Sequence, residues 1–79
     1  MYYVYIIQSK VAPQKYIGFS EDLKQRIKDH NSGLCPHTSK FKPWKLKFYA
    51  AFEEKQRAMD FERYLKSGSG HSFSSRHLI

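Results

Sequence analysis

Cysteine is almost missing from this chain. A single one, Cys35, among 79 residues excludes an internal disulfide and any metal centre built from several thiolates. A lone thiol suits a reducing, intracellular compartment, so a cytoplasmic protein is expected. Long apolar runs are missing too. The best of them, Tyr3 to Ile7, is far shorter than a bilayer requires. It has no basic stretch before it and no small-residue cleavage site after it, so neither a membrane span nor a signal peptide is expected. Acidic residues are few: 7 Asp and Glu face 14 Lys and Arg, a formal net charge of +7 with neutral histidines. An excess of this kind, spread from one end to the other, points to a polyanionic partner, and no segment has the amphipathic lysine-rich face that a membrane surface would need. Size excludes a second core, because so short a chain buries only about 60–65% of its unfolded surface. Residues 1–79 are therefore expected to form a single domain. The one abundance is aromatic, 16% of the residues, and large rings bury the most area per residue in a small core.

Glycine and proline are sparse, so each one is informative. Tyr2 to Gln8, YYVYIIQ, is β-branched or aromatic almost throughout and reads as a strand covered on both faces. Ser9 to Gln14, with Pro13 inside it, reads as a hairpin loop. Lys15 to Phe19 is the returning strand, Ile17 and Phe19 on one face, Tyr16 and Gly18 on the other. A glycine inside a strand calls for close approach by a neighbour, and Gly18 is such a case. Ser20 is the expected N-cap of a helix running to about Asn31, with Glu21 and Asp22 in its first turn and Gly33 as its stop. Leu23 and Ile27 make its apolar stripe, continued by His30, and Arg26 stands beside that stripe one turn before His30.

Gly33 to Pro43 reads as a loop with at most one helical turn, whose His37, Thr38, Ser39, Lys40 and Lys42 are either phosphate contacts or simply solvated. Trp44 to Phe52 is the third strand, with Trp44, Leu46 and Phe48 on one face. Glu53 to Lys66 is helical, with Ala58, Phe61 and Leu65 as its apolar stripe and Glu62 at the border. Ser67 to Gly70, SGSG, ends it. Phe73, Leu78 and Ile79 could dock a final short helix. The order β-β-α-β-α describes a small α+β domain.

Set against known families, the chain resembles the GIY-YIG nuclease domain along most of its length, and in particular the small stand-alone bacterial members. Tyr3-Val4-Tyr5 corresponds to the first motif and Tyr16-Ile17-Gly18 keeps the second literally. Asp22-Leu23, Arg26, His30-Asn31, Pro43-Trp44, Glu62 and Leu65-Lys66-Ser67-Gly68 follow in order and at matching spacing. The resemblance implies a three-stranded antiparallel sheet flanked by helices. It also implies metal-dependent hydrolysis of DNA phosphodiesters without a covalent intermediate. Carried over residue by residue, Tyr5 and Tyr16 would line the site, one of them positioning or deprotonating water. Arg26 would bind the scissile phosphate, His30 would assist in proton transfer or orientation, and Glu62 would be the ligand to one Mg²⁺ or Mn²⁺. Three positions depart from family patterns: Tyr3 stands for the glycine of the first motif, Phe19 for a lysine of repair members, and Ser74 for an asparagine.

The chemistry of these residue types agrees with the roles. A guanidinium can pair with two phosphate oxygens at once, and Mg²⁺ accepts one carboxylate while keeping several waters. Each residue also has an ordinary alternative: Tyr5 as a core aromatic, Arg26 paired with Asp22, Glu62 paired with Lys66, His30 as a helix C-terminal residue. The leading expectation is a small DNA endonuclease of repair or recombination, either non-specific or choosing branched, nicked or single-stranded DNA by shape, with a protein partner for targeting as a further option. The rival is a non-catalytic or partner-dependent nucleic-acid-binding module that keeps the fold. The nuclease reading requires the edges of the first helix and of the last long helix to reach the same side of the sheet.

Overall fold

A computed structural model describes residues 1–77. The chain folds as β1 (Tyr2–Ser9), β2 (Lys15–Ser20), α1 (Leu23–Ser32), α2 (Pro36–Ser39), β3 (Trp44–Phe52), α3 (Lys55–Lys66) and α4 (Gly68–His77). The three strands form one antiparallel sheet in the order β2-β1-β3. The apolar run of β1 accounts for its central place. Val4, Tyr5, Ile6 and Ile7 are all essentially inaccessible to solvent, which only a strand covered on both faces allows.

The alternation of that strand divides the core in two. Val4 and Ile6 face α3, where Ala58, Phe61 and Leu65 meet them together with Ile17, Phe19, Phe48 and Phe52. Tyr5 and Ile7 face the other way, onto Leu23 and Ile27 of α1 with Trp44, Leu46 and Tyr16. Each fully buried aliphatic side chain of these layers contributes about 1.5–3 kcal/mol. The helices α1 and α3 thus cover opposite faces of the sheet, so the expected meeting of their edges is open only around the side of the sheet. Helix α3 packs over both edge strands, β2 and β3, while α1 meets β3.

Strand β3 changes face midway. Ile6 pairs with Phe48 but Ile7 pairs with Leu46, so Lys47 is an extra residue in the ladder. Trp44 and Leu46 therefore join the α1 layer while Phe48 and Phe52 join the α3 layer, which corrects the assignment of Trp44, Leu46 and Phe48 to one face. Strict two-residue alternation cannot anticipate a bulge.

The helix ends also differ in detail from expectation. Helix α1 is capped by Asp22, whose Oδ1 accepts from Gln25 N at 3.1 Å, while Ser20 bonds the backbone of Asp22 and orders the turn before it. Gly33 ends the helix in the left-handed region at φ 87°, as its place in the sequence implies. The SGSG segment stops α3 and at once starts α4: the Ser67 hydroxyl accepts from Gly70 N at 3.2 Å, an N-cap contact. A Cβ on Gly70 would lie 1.7 Å from the Tyr64 carbonyl oxygen, so α4 sits against α3 at a distance only glycine permits. The expected docking of Leu78 and Ile79 falls outside the described residues.

Candidate active site

On the α1 face, against β2, a chain of buried polar groups begins at Tyr5. Its hydroxyl lies 2.8 Å from His30 Nε2, and His30 Nδ1 lies 2.8 Å from Thr38 Oγ1. Thr38 in turn donates to the Cys35 carbonyl at 3.3 Å. Tyr5, His30 and Thr38 are buried with at most 2% exposure, so each polar atom must be satisfied inside the protein. The Arg26 guanidinium lies beside the Tyr5 hydroxyl as a further polar neighbour.

The Thr38 hydrogen is directed to the Cys35 carbonyl, so in a neutral imidazole the Tyr5 hydroxyl is the donor to His30 Nε2. Nε2 is then the bare nitrogen and Nδ1–H donates to Thr38, whose own hydrogen goes to Cys35. The neutral imidazole this requires agrees with its surroundings: burial, then the positive Arg26, pull His30 below the ordinary histidine range. Burial pushes the Tyr5 phenol up to about 12, an effect that the adjacent Arg26 offsets only in part. Its hydrogen-bonded contact with Tyr5, more than any other neighbour, raises Arg26 further above its already high value, so the guanidinium is permanently charged.

Gly18 has its reason here. A Cβ at that position would fall 2.3 Å from the Tyr5 hydroxyl oxygen and 2.4 Å from the ring carbon that carries it. The tyrosine lies across the glycine of the adjacent strand, its directly paired residue.

Four of the five expected site residues therefore converge. Tyr5 and His30 are hydrogen-bonded, Arg26 is against Tyr5, and the Tyr16 ring lies 5.0 Å from that of His30 and 6.4 Å from that of Tyr5. Arg26 and Tyr16 are half-buried and open to solvent, whereas Tyr5 and His30 are sealed. The alternative pairing of Arg26 with Asp22 is not formed, because Asp22 caps the helix instead.

Glu62 stands apart from the other four. It lies on α3, and Lys66 Nζ approaches its Oε2 at 3.2 Å one turn along the same helix. Among the described residues no hydrogen bond joins it to Tyr5, Tyr16, Arg26 or His30. Yet Leu65 and Lys66, within a turn of Glu62, line a cleft together with Tyr16, so α3 and β2 share one surface around the sheet edge.

Residues 1–74 match the family profile described as the GIY-YIG catalytic domain. The chain belongs to the GIY-YIG family. Among its relatives, the UPF0213 protein CPE1444 of Clostridium perfringens is 39% identical over 67 residues, covering 84% of this chain and 71% of that protein. The UPF0213 protein SpyM3_1077 of Streptococcus pyogenes is 32% identical over 65 residues, 81% of this chain and 70% of that one. The UPF0213 protein YazA of Bacillus subtilis is 38% identical over 52 residues, 65% of this chain and 52% of its own length. No solved structure matches the chain significantly. Membership of the GIY-YIG family makes this a nuclease domain, with DNA as the implied substrate class. No helix among the described residues is long and apolar enough to cross a membrane.

GIY-YIG nucleases generally use divalent metal ions. Among the described residues no group of three His, Cys, Asp or Glu is gathered to hold one. The carboxylate that the family resemblance assigns to an ion, Glu62, is alone, 22% exposed and met by Lys66. That donor set fits a hard cation that keeps most of its water, and does not fit a closed protein cage.

Thr38 is not the phosphate contact or solvated residue that its place in a polar loop suggests, but a buried partner of His30. No spacing links it to His30, because α2 turns the chain back through tertiary contacts. Asn31 gained a role in the same way: its side chain brackets the backbone of Trp44, accepting from its N–H and donating to its carbonyl at 3.3 Å. The indole N–H of Trp44 then donates to the Thr38 carbonyl at 2.9 Å, so α1, α2 and β3 are fastened around the histidine.

Proposed function

We propose that this protein is a divalent-metal-dependent endonuclease that hydrolyses DNA phosphodiester bonds, selecting DNA by shape and acting in repair or recombination. The observation that carries the reading is the sealed chain Cys35–Thr38–His30–Tyr5, which ends on the one charged group of the cluster, Arg26, next to the accessible Tyr16. A buried polar network of this kind is costly unless every member is satisfied, and here each member is.

In this reading Arg26 pairs with two non-bridging oxygens of the scissile phosphate and stabilises the charge that gathers there. Tyr16, the accessible tyrosine, orients or deprotonates the attacking water. Tyr5 cannot take that part, since it is sealed from solvent and holds its proton to about pH 12. Tyr5 and His30 are positioning residues, which hold Arg26 and Tyr16 from behind. Glu62 holds Mg²⁺ or Mn²⁺, with Lys66 released from its carboxylate. When bound, the ion supplies charge stabilisation at the leaving oxygen or a more acidic water. One such site cuts one strand. Lysines beside the site supply sequence-independent phosphate contacts, and a partner protein supplies targeting.

The test is incubation with supercoiled plasmid and with branched, nicked and single-stranded oligonucleotides, in Mn²⁺ or in EDTA. Nicking that requires metal and is lost in Arg26→Ala and Glu62→Ala is the expected result. Binding without cleavage would favour the non-catalytic module, and cutting that survives both substitutions would not belong to this site.

A further inference from the structure

A cleft of about 350 Å³ lies on the other side of Tyr16 from the buried chain. Its walls are Lys15 and Tyr16 of β2, Lys66 of α3, and His71 and Ser74 of α4, over a floor of Ile6, Ile17 and Leu65. No carboxylate is among these residues. Every titratable side chain that lines it can donate a hydrogen bond to an oxyanion. Ser74 is buried and already donates to the His71 carbonyl at 3.0 Å, so the accessible donors are Lys15, His71, the half-buried Tyr16, and Lys66, whose ammonium also meets Glu62 at 3.2 Å.

We propose that this cleft is a nucleotide subsite beside the scissile position, in which Lys15, Lys66 and His71 hold the neighbouring phosphate and the apolar floor takes its deoxyribose. The inference rests on the nuclease reading above. Three observations carry it. Tyr16 lines the cleft and its tilted ring also packs against His30 with centroids 5.0 Å apart, so a strand lying in the cleft reaches Tyr16 and, past it, the side of Arg26. The cleft is at the small end of ligand-sized cavities, which run from about 300 to 1,000 Å³, and suits one nucleotide and not a duplex. The third observation is that His71 is held in place. Gly70, the residue before it, packs so closely on the Tyr64 carbonyl that any side chain there would force α4 away. The position of α4, which the phosphate chemistry of Arg26 does not need, is thereby explained as the far wall of the subsite.

Binding of a fluorescent single-stranded oligonucleotide, measured by anisotropy in EDTA across a salt series, separates this claim from catalysis. Lys15→Ala with His71→Ala alters only exposed side chains and leaves the fold intact, which thermal unfolding verifies. The double variant should bind at least about tenfold more weakly at low salt, and its slope of log K against log salt should be shallower by about 0.7 per phosphate contact removed. Lys10→Ala with Lys47→Ala, two exposed lysines away from the cleft, is the control and should change binding by less than about twofold. Equal losses in the two double variants would overturn the subsite while leaving the nuclease reading in place. A wild-type protein that neither binds nor cuts DNA would overturn both.

Discussion

Thr38 gives the sharpest test of how the site is built. Thr38→Val keeps the shape of the side chain and removes only the oxygen that accepts from His30 Nδ1. His30 is fully buried, so its N–H is left without a partner, at a cost of about 1–3 kcal/mol. For a domain of this size that corresponds to a fall in Tm of about 5–20 °C. The backbone carbonyl of Thr38, which takes the Trp44 indole N–H, is unaffected, so the loss isolates the hydroxyl. Nitrogen-15 NMR of the imidazole supplies the second readout. Wild-type His30 should be a single tautomer with the proton on Nδ1, and the variant should be a mixture, with Tyr5 and Arg26 no longer held in one arrangement. Thr38→Ser should restore both stability and tautomer. A destabilisation under about 0.5 kcal/mol with the tautomer unchanged would refute the argument, because it would mean that the hydroxyl satisfies nothing.

Gly18→Ala should act at a distance from its own strand, by forcing the Tyr5 ring off the glycine and breaking its contact with His30. About 1–3 kcal/mol of stability should go with it, and urea unfolding that shows no change would contradict the packing. Stability should also fall at both ends of the pH scale. In acid, the unfolded chain protonates His30 near the ordinary value of about 6.5 while the folded chain resists, so stability is complete above that pH and declines as pH drops through it. In base, the unfolded Tyr5 loses its proton near pH 10 but the folded phenol keeps it to about 12, so stability declines as pH rises through that window, by at most about 3 kcal/mol. Urea midpoints for wild type and Tyr5→Phe would show this, and an alkaline limb that survives in the variant would exclude Tyr5 as its source.

How much of this was legible beforehand follows from what each signal depends on. The strands and long helices were, because YYVYIIQ can only be a doubly covered strand and Ala58, Phe61 and Leu65 mark one helix face. Gly33 was legible as a helix stop, and Gly18 as a place of close approach, though not what approaches it. The bulge at Lys47 was not, since it breaks the very alternation used to assign faces. A final helix carrying Phe73 was legible, but its start at Gly68 was not, because Ser-Gly-Ser-Gly resembles a loop until Gly70 is packed on Tyr64. Of the site, the motif residues could be named, but their division of labour could not. Burial separates the sealed Tyr5 from the accessible Tyr16, and burial is a property of the fold. The opposite placement of α1 and α3 was likewise invisible, because nothing local tells a helix which face it will cover.

That placement makes one claim central: Arg26 from α1 and Glu62 from α3 serve a single site around the edge of β2. A double-mutant cycle on the single-turnover nicking rate tests it most directly. Arg26→Ala should lower the rate by about 10²-fold or more, and Glu62→Ala should do so with a raised metal requirement. If both act on one phosphate, the double variant should be scarcely slower than the worse single one, because groups that work as a unit are strongly non-additive. Losses that simply multiply would mean that the two residues act independently, and the site as described here would be wrong.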